Sequence, residues 1–233
     1  MTTIDWDGVE VLTFDCYGTL IDWEAGILAR LRPLVGEAGA GISDDALLER
    51  YGDAEATIEA GPYRRYREVL ARGAQAVCRD LGAAPDDAAL ATFGGSVVDW
   101  PAFPDSADAL ARLHERYRLA VITNCDDDLF AASNRRLGVE FDEVVTAQQM
   151  GAYKPDHRGF EEMFRRLGLP RERIVHVAQS LFHDHVPARE LGLRSVWIDR
   201  RHGRDGSGAT PHADASPDVT APSMAAFADL ALA

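Results

Sequence analysis

The hydrophobic pattern changes period along the chain. Val9, Val11, Leu12 and Phe14 form a dense apolar run, which predicts a strand buried on both faces. From residue 23 to about 99 the apolar positions recur at helical spacing instead. Ile27, Leu28, Leu31 and Leu34 predict one helix, interrupted near Pro33. Ser43 and the two aspartates after it predict the N-cap of a second, carrying Ala46, Leu47, Leu48, Tyr51 and Ala54. Gly61 and Pro62 end it. Residues 63–81 predict a third helix and residues 90–98 a fourth. Two prolines between Trp100 and Pro104 predict an extended crossing.

Alternation then begins. Strands are predicted at 117–123, 141–146, 174–178 and 194–198, separated by helices at 105–116, 127–137, 158–167 and 186–191. That order predicts an α/β fold: a doubly wound parallel sheet with helices on both faces. The four helices without a strand read as an inserted cap domain. The expected division is a core of residues 1–22 and 100–233 and a helical cap of 23–99. Residues 200–217 are rich in Gly, Asp, Pro and Ser and predict a solvated loop. A short helix at 222–232 is expected to close the chain.

The predicted strands end on polar groups. The first stops at Asp15, with Gly18 and Thr19 close behind. The second ends at Thr123 and Asn124. Past the third lies Lys154, before a proline at a predicted helix entry, and past the fourth lies Asp184 between His183 and His185. The ends of parallel strands converge on one edge, where ligands bind in open α/β sheets. A carboxylate held there out of water is suited to attack carbon and form an ester. A nearby lysine would stabilise its charge.

Composition narrows the class. The 233 residues are 46% hydrophobic and 27% charged, as in ordinary globular proteins. A net charge of −14 opposes nucleic-acid phosphates. No window approaches the roughly 18 uninterrupted apolar residues of a membrane span. The acidic start lacks an apolar export segment. Cys16, Cys78 and Cys125 are an odd, scattered set, which argues against a disulfide framework or zinc site. A cytoplasmic location is expected.

The run Asp15, Cys16, Tyr17, Gly18, Thr19 resembles the first motif of the haloacid dehalogenase superfamily, and Thr123, Lys154 and Asp184 match its later motifs in order. Tyr17 stands where the superfamily's phosphatases place a second aspartate, and resembles the L-2-haloacid dehalogenase branch. The resemblance implies a hydrolase in which Asp15 forms an aspartyl ester with a 2-substituted carboxylic acid, which water then opens. It implies Lys154 and Asp184 as catalytic partners. It implies Cys16, Tyr17, Thr19, Thr123, Asn124 and His183 as substrate-binding, with Arg50 on the second cap helix holding a departing halide. Arg64 and Arg65 are rivals for that role. No cofactor is expected, and a homodimer is the oligomer implied.

Departures leave alternatives. A magnesium-dependent phosphatase would use Asp15 and Asp184 as ligands for Mg²⁺. The same Asp15 attack would serve C–N hydrolysis of a small cyclic imino acid. A non-catalytic scaffold is the third class. The fourth motif reads Ala178, Gln179, Ser180, with its acid about one residue later than in the better-known dehalogenases, and Phe160 replaces their tyrosine. Trp23, Tyr51, Phe160 and Phe182 are candidate apolar walls.

Overall fold

The structure is a computed structural model and describes residues 4–204, 206 and 208–233. Six strands form one sheet in the order β3-β2-β1-β4-β5-β6, and every pairing is parallel. They are β1 (Val11–Phe14), β2 (Arg118–Thr123), β3 (Glu143–Thr146), β4 (Ile174–Ala178), β5 (Arg194–Ile198) and β6 (Val219–Ala221). All four residues of β1 are buried, as its unbroken apolar run requires of a central strand. The chain builds outward from β1 through β2 to β3, then returns to β1's other side with β4. That reversal opens a crevice beyond the carboxyl ends of β1 and β4.

Between β1 and β2 the described residues form α1 (Trp23–Val35), α2 (Asp44–Glu59), α3 (Tyr66–Leu81), α4 (Asp87–Gly94) and short 3₁₀ turns. Ser43 caps α2 as expected, accepting from the Ala46 amide at 3.2 Å. The anticipated break near Pro33 is absent. Pro33 lies in the last turn of α1, so its ring disturbs only the closing stretch of that helix. The third helix starts at Tyr66 rather than 63. Its first amides lack a local cap: Tyr66 and Arg67 donate to the buried Asp126 carboxylate of the sheet half, at 3.0 and 3.4 Å. A core acid therefore fixes where α3 begins.

The sheet half carries α5 (Ser106–His114), α6 (Asp127–Leu137), α7 (Ala147–Met150), α8 (Arg158–Leu167), α9 (Val186–Glu190) and α10 (Met224–Ala231). The sequence reading missed β6 and α7, which have three and four residues. Segments that short carry no readable period. Leu181–His185 forms a π-helical turn before α9.

Residues 200–217 form the expected loop, with neither helix nor strand and with 202–204, 206, 212, 214 and 216 exposed, but part of it is anchored; 205 and 207 lie outside the described residues. Arg200 donates to the Thr19 carbonyl at 2.8 Å and pairs with Asp105. Arg201 pairs with Glu24 of α1 and Asp45 of α2. Ala209 and Thr210 are buried. The segment ties the helical insertion to the sheet. Gly52 of α2 permits the close approach, because a Cβ there would collide with the Ala209 carbonyl. Gly52→Ala should therefore cost about 1–3 kcal/mol in thermal denaturation, although alanine is the better helix former. Gly41→Ala, where a Cβ meets open space, should stay within about 0.5 kcal/mol.

Candidate active site

Strand β1 delivers Asp15 to the crevice and continues its ladder one step, with the Asp15 amide donating to Val177 at 3.1 Å. Gly18, at φ +91°, then turns the chain sharply enough to bring Thr19 back over the carboxylate. Thr19 Oγ1 donates to Asp15 Oδ2 at 2.7 Å and accepts the Gln179 amide at 2.9 Å. Lys154 Nζ lies 2.7 Å from Asp15 Oδ1, 2.8 Å from Asp184 Oδ1 and 2.9 Å from the Ile122 carbonyl. All three ammonium hydrogens are used. Asp15, Lys154 and Asp184 are all buried.

Asn124 fixes the lysine from behind. Its amide oxygen accepts the Lys154 N–H at 2.7 Å, and its Nδ2 donates to the Lys154 carbonyl at 3.1 Å. His176, in the middle of β4, joins Asp184 Oδ1 at 2.9 Å and Thr13 Oγ1 at 2.9 Å. Because a carboxylate only accepts, His176 Nε2 carries the proton in that bond. The sequence reading overlooked His176. Its signal was an imidazole inside the apolar run of β4.

The electrostatics follow from burial and one shared cation. Burial raises the Asp15 carboxyl above its ordinary value; Lys154 opposes this, and the charge of Asp184 adds to it. For Asp184, burial is outweighed by Lys154 and His176, which hold it well below the carboxylate range. Burial pulls Lys154 down, but its two acids more than restore it, so it stays an ammonium. Asp15 is thus the more basic of the two acids, a carboxylate with little water around it.

A cleft of about 30 Å³ opens onto this centre, lined by Asp15, Tyr17, Trp23, Asn124, Lys154, Ser180, His183, Asp184 and Thr210, and on the helical side by Glu55, Glu59 and Tyr66. It shares Glu59, Lys154 and His183 with an outer hollow of about 390 Å³, which Phe182 also lines. His183 takes its place through Ser180, whose hydroxyl caps the turn by accepting the His183 amide at 2.9 Å. Burial pushes the His183 imidazole down to about 4, so it is neutral at pH 7.

Several expected residues lie elsewhere. Arg50 is exposed, and the cleft lining contains no arginine. Five residues before Glu55 and nine before Glu59, it faces the far side of α2. Arg64 and Arg65 are paired with Glu68 and Asp126. Cys16 is wholly buried in the core and does not line the cleft. Tyr17 presents its ring, while its hydroxyl turns inward to Ser133 and Cys125, at 3.0 and 3.3 Å. Thr123 is buried at the end of β2, and its hydroxyl has no hydrogen-bond partner among the described residues. Thr19 and Asn124 hold Asp15 and Lys154. His185 donates Nε2–H to the Ala178 carbonyl at 3.0 Å, away from the cleft. Tyr51 and Phe160 are core residues, with Phe160 edge-on to His176 at 5.1 Å.

Glu55 and Glu59 were not anticipated. They continue the inward stripe Leu47, Leu48, Tyr51 at four-residue spacing, so acids at apolar positions were the available signal.

A magnesium ion does not suit these residues. Both Asp15 oxygens and Asp184 Oδ1 already accept bonds, and only Asp184 Oδ2 is unpartnered. Position 17 offers no carboxylate, and a hard divalent cation takes about six oxygens. No group of three or more His, Cys, Asp or Glu among the described residues is placed to hold a metal.

An acid–ammonium–acid centre at the carboxyl edge of a doubly wound sheet places the chain among the α/β proteins that bind ligands at that edge. The chain belongs to the haloacid dehalogenase-like hydrolase family, whose model matches residues 9–180. It is 28% identical over 210 residues to (S)-2-haloacid dehalogenase H-109 of Pseudomonas putida, covering 87% of this chain and 92% of the relative. It is 27% identical over 229 residues to haloacetate dehalogenase H-2 of Moraxella sp. (strain B), covering 95% and 97%. The fold superposes on L-2-haloacid dehalogenase from Xanthobacter autotrophicus with chloropropionic acid covalently bound, at a TM-score of 0.78 and 19% identity over 95% of this chain and 98% of that one.

Lys154→Met would leave two buried acids facing each other. A loss of about 3–5 kcal/mol is expected at neutral pH. The two acids' folded-state pKa values would then rise, so the loss should shrink as pH falls and one acid takes a proton. Denaturant melts at pH 8 and pH 5 check both points.

Proposed function

We propose that this enzyme cleaves the bond between a leaving group and the carbon next to a carboxylate, with Asp15 as the nucleophile. An Asp15 oxygen forms a C–O bond as the leaving group departs with its electron pair. Water then adds to the Asp15 carboxyl carbon, the acyl–oxygen bond breaks, and a 2-hydroxy acid leaves. The Asp15–Lys154 contact at 2.7 Å carries this reading: it keeps an attacking carboxylate charged in a site nearly free of water. The relatives named dehalogenases support it.

Lys154 stabilises Asp15 before attack and when it is released, while Asp184 and Asn124 hold the lysine. The second Nδ2 hydrogen of Asn124 and the Ser180 hydroxyl are the groups that would meet a substrate carboxylate. His183, neutral and on the cleft wall, is the base that would take the proton from water. Residues 23–99 would act as a cap domain that closes over the cleft and excludes bulk water. Three free buried cysteines suit a reducing cytoplasm.

Single-turnover hydrolysis of 2-chloropropionate in ¹⁸O-water should leave the product unlabelled, because the new hydroxyl oxygen comes from Asp15. Label in the product of that first turnover would contradict an ester. Asp15→Asn should lower kcat at least about 10³-fold. Since burial raises Asp15 and the reaction needs it ionised, kcat/KM should fall on the acid side with an apparent pKa above the ordinary ~3.9.

A further inference from the structure

The cleft carries more carboxyl groups than a substrate that is only an anion would use. Asp15, Asp184, Glu55 and Glu59 face it, against the ammonium of Lys154 and a neutral His183. Lys154 is already spent on Asp15 and Asp184. The two glutamates come from one face of α2, a turn apart, and both reach the cleft from above.

Their surroundings differ from those of structural acids. Glu55 is 4% exposed, and its Oε1 accepts the hydroxyls of Tyr51 and Tyr66, at 3.1 and 3.2 Å. Two tyrosines orient this carboxyl but bring no positive charge. The Glu59 side chain is 8% exposed and has no hydrogen-bond partner among the described residues; His183 Nε2 stands 3.8 Å away. Elsewhere, acids at the junction of insertion and sheet are matched by arginines, as Asp126 is by Arg65 and Glu24 by Arg201. An unpaired buried carboxylate is costly unless something of opposite charge arrives.

We propose that Glu55 and Glu59 form a subsite for a protonated amine, so that the substrate is a small amino acid-like zwitterion with its leaving group next to the carboxylate. This rests on the Asp15 reading above and adds the second charge on the substrate. An ammonium between the two glutamates and the Tyr66 ring gains two charge-assisted hydrogen bonds out of water. Without a guest, burial pushes Glu55 up to about 7, and burial plus the charge of Glu55 raises Glu59 well above its ordinary value; an ammonium between them would draw both back to carboxylates. The absence of an arginine from the lining fits the same picture. A plain halo acid offers the two glutamates neither a donor nor a positive charge.

The test uses stable products of the proposed reaction. Calorimetric titration compares 3-amino-2-hydroxypropanoate and 4-amino-2-hydroxybutanoate with 2-hydroxybutanoate on the full chain. At least one amine-bearing acid should bind about tenfold or more tighter than the plain acid. Glu59→Gln should reduce that preference below about twofold, and Glu55→Gln, which keeps an acceptor for Tyr51 and Tyr66, should do the same. Circular dichroism and melting show that each variant is folded. Equal or better binding of the plain acid, binding of no amine below about 10 mM, or a preference that survives both substitutions would overturn the subsite. Ester formation on Asp15 is read separately, so failure of the amine preference is distinct from failure of the nucleophile.

Discussion

One ammonium holds the centre together. Lys154 Nζ sits between Asp15 and Asp184 and gives its third hydrogen to the Ile122 carbonyl. Removing a lysine and two carboxylates from water costs several kcal/mol per ion, and only good geometry offsets it. That geometry is over-determined. Asn124 clamps the Lys154 backbone at both ends, His176 and Thr13 orient Asp184, and Thr19 fixes Asp15. Arg200, reaching from beyond β5, holds the Thr19 carbonyl. The groups come from β1, β2, β4 and β5 or the turns after them and from the segment past β3, so the parallel sheet and its reversal at β1 make the site possible.

The helical insertion adds a different kind of chemistry. The sheet half supplies an acid–ammonium–acid centre held by short hydrogen bonds. The insertion supplies a wall of aromatic and acidic side chains: Tyr66, Glu55 and Glu59. Asp126 at the start of α3, and Arg201 with Glu24 and Asp45, lock that wall in register with the sheet. On the proposed reading, the reaction type is set by one half and the charge of the accepted molecule by the other.

Legibility in the sequence followed the same division. Asp15 was readable because an apolar strand that ends on a charged group places that group on the ligand-binding edge, whereas Lys154 and Asp184, several residues past β3 and β4, were readable through their order along the resembled motifs. The sheet and its helices were readable from changes in hydrophobic period. The insertion's contribution was not, because its meaning depends on helix phase. Arg50 looked suited to an anion but points to solvent, while Glu55 and Glu59, which the sequence did not single out, face inward. The segment after β5 read rightly as a loop, but its anchoring was not readable, because that comes from arginine pairs with distant acids, which leave no local period. His176 was hidden by position: a histidine within a strand shows nothing of the partner on the next loop.

The account stands on a transient bond between Asp15 and substrate carbon. Acid-quenched protein taken during turnover, digested and mapped by mass spectrometry, tests it most directly. The account predicts that the peptide containing Asp15 gains the mass of the substrate's acid residue, with the adduct on that side chain. Steady turnover with Asp15 unmodified, or an adduct on another residue, would contradict it.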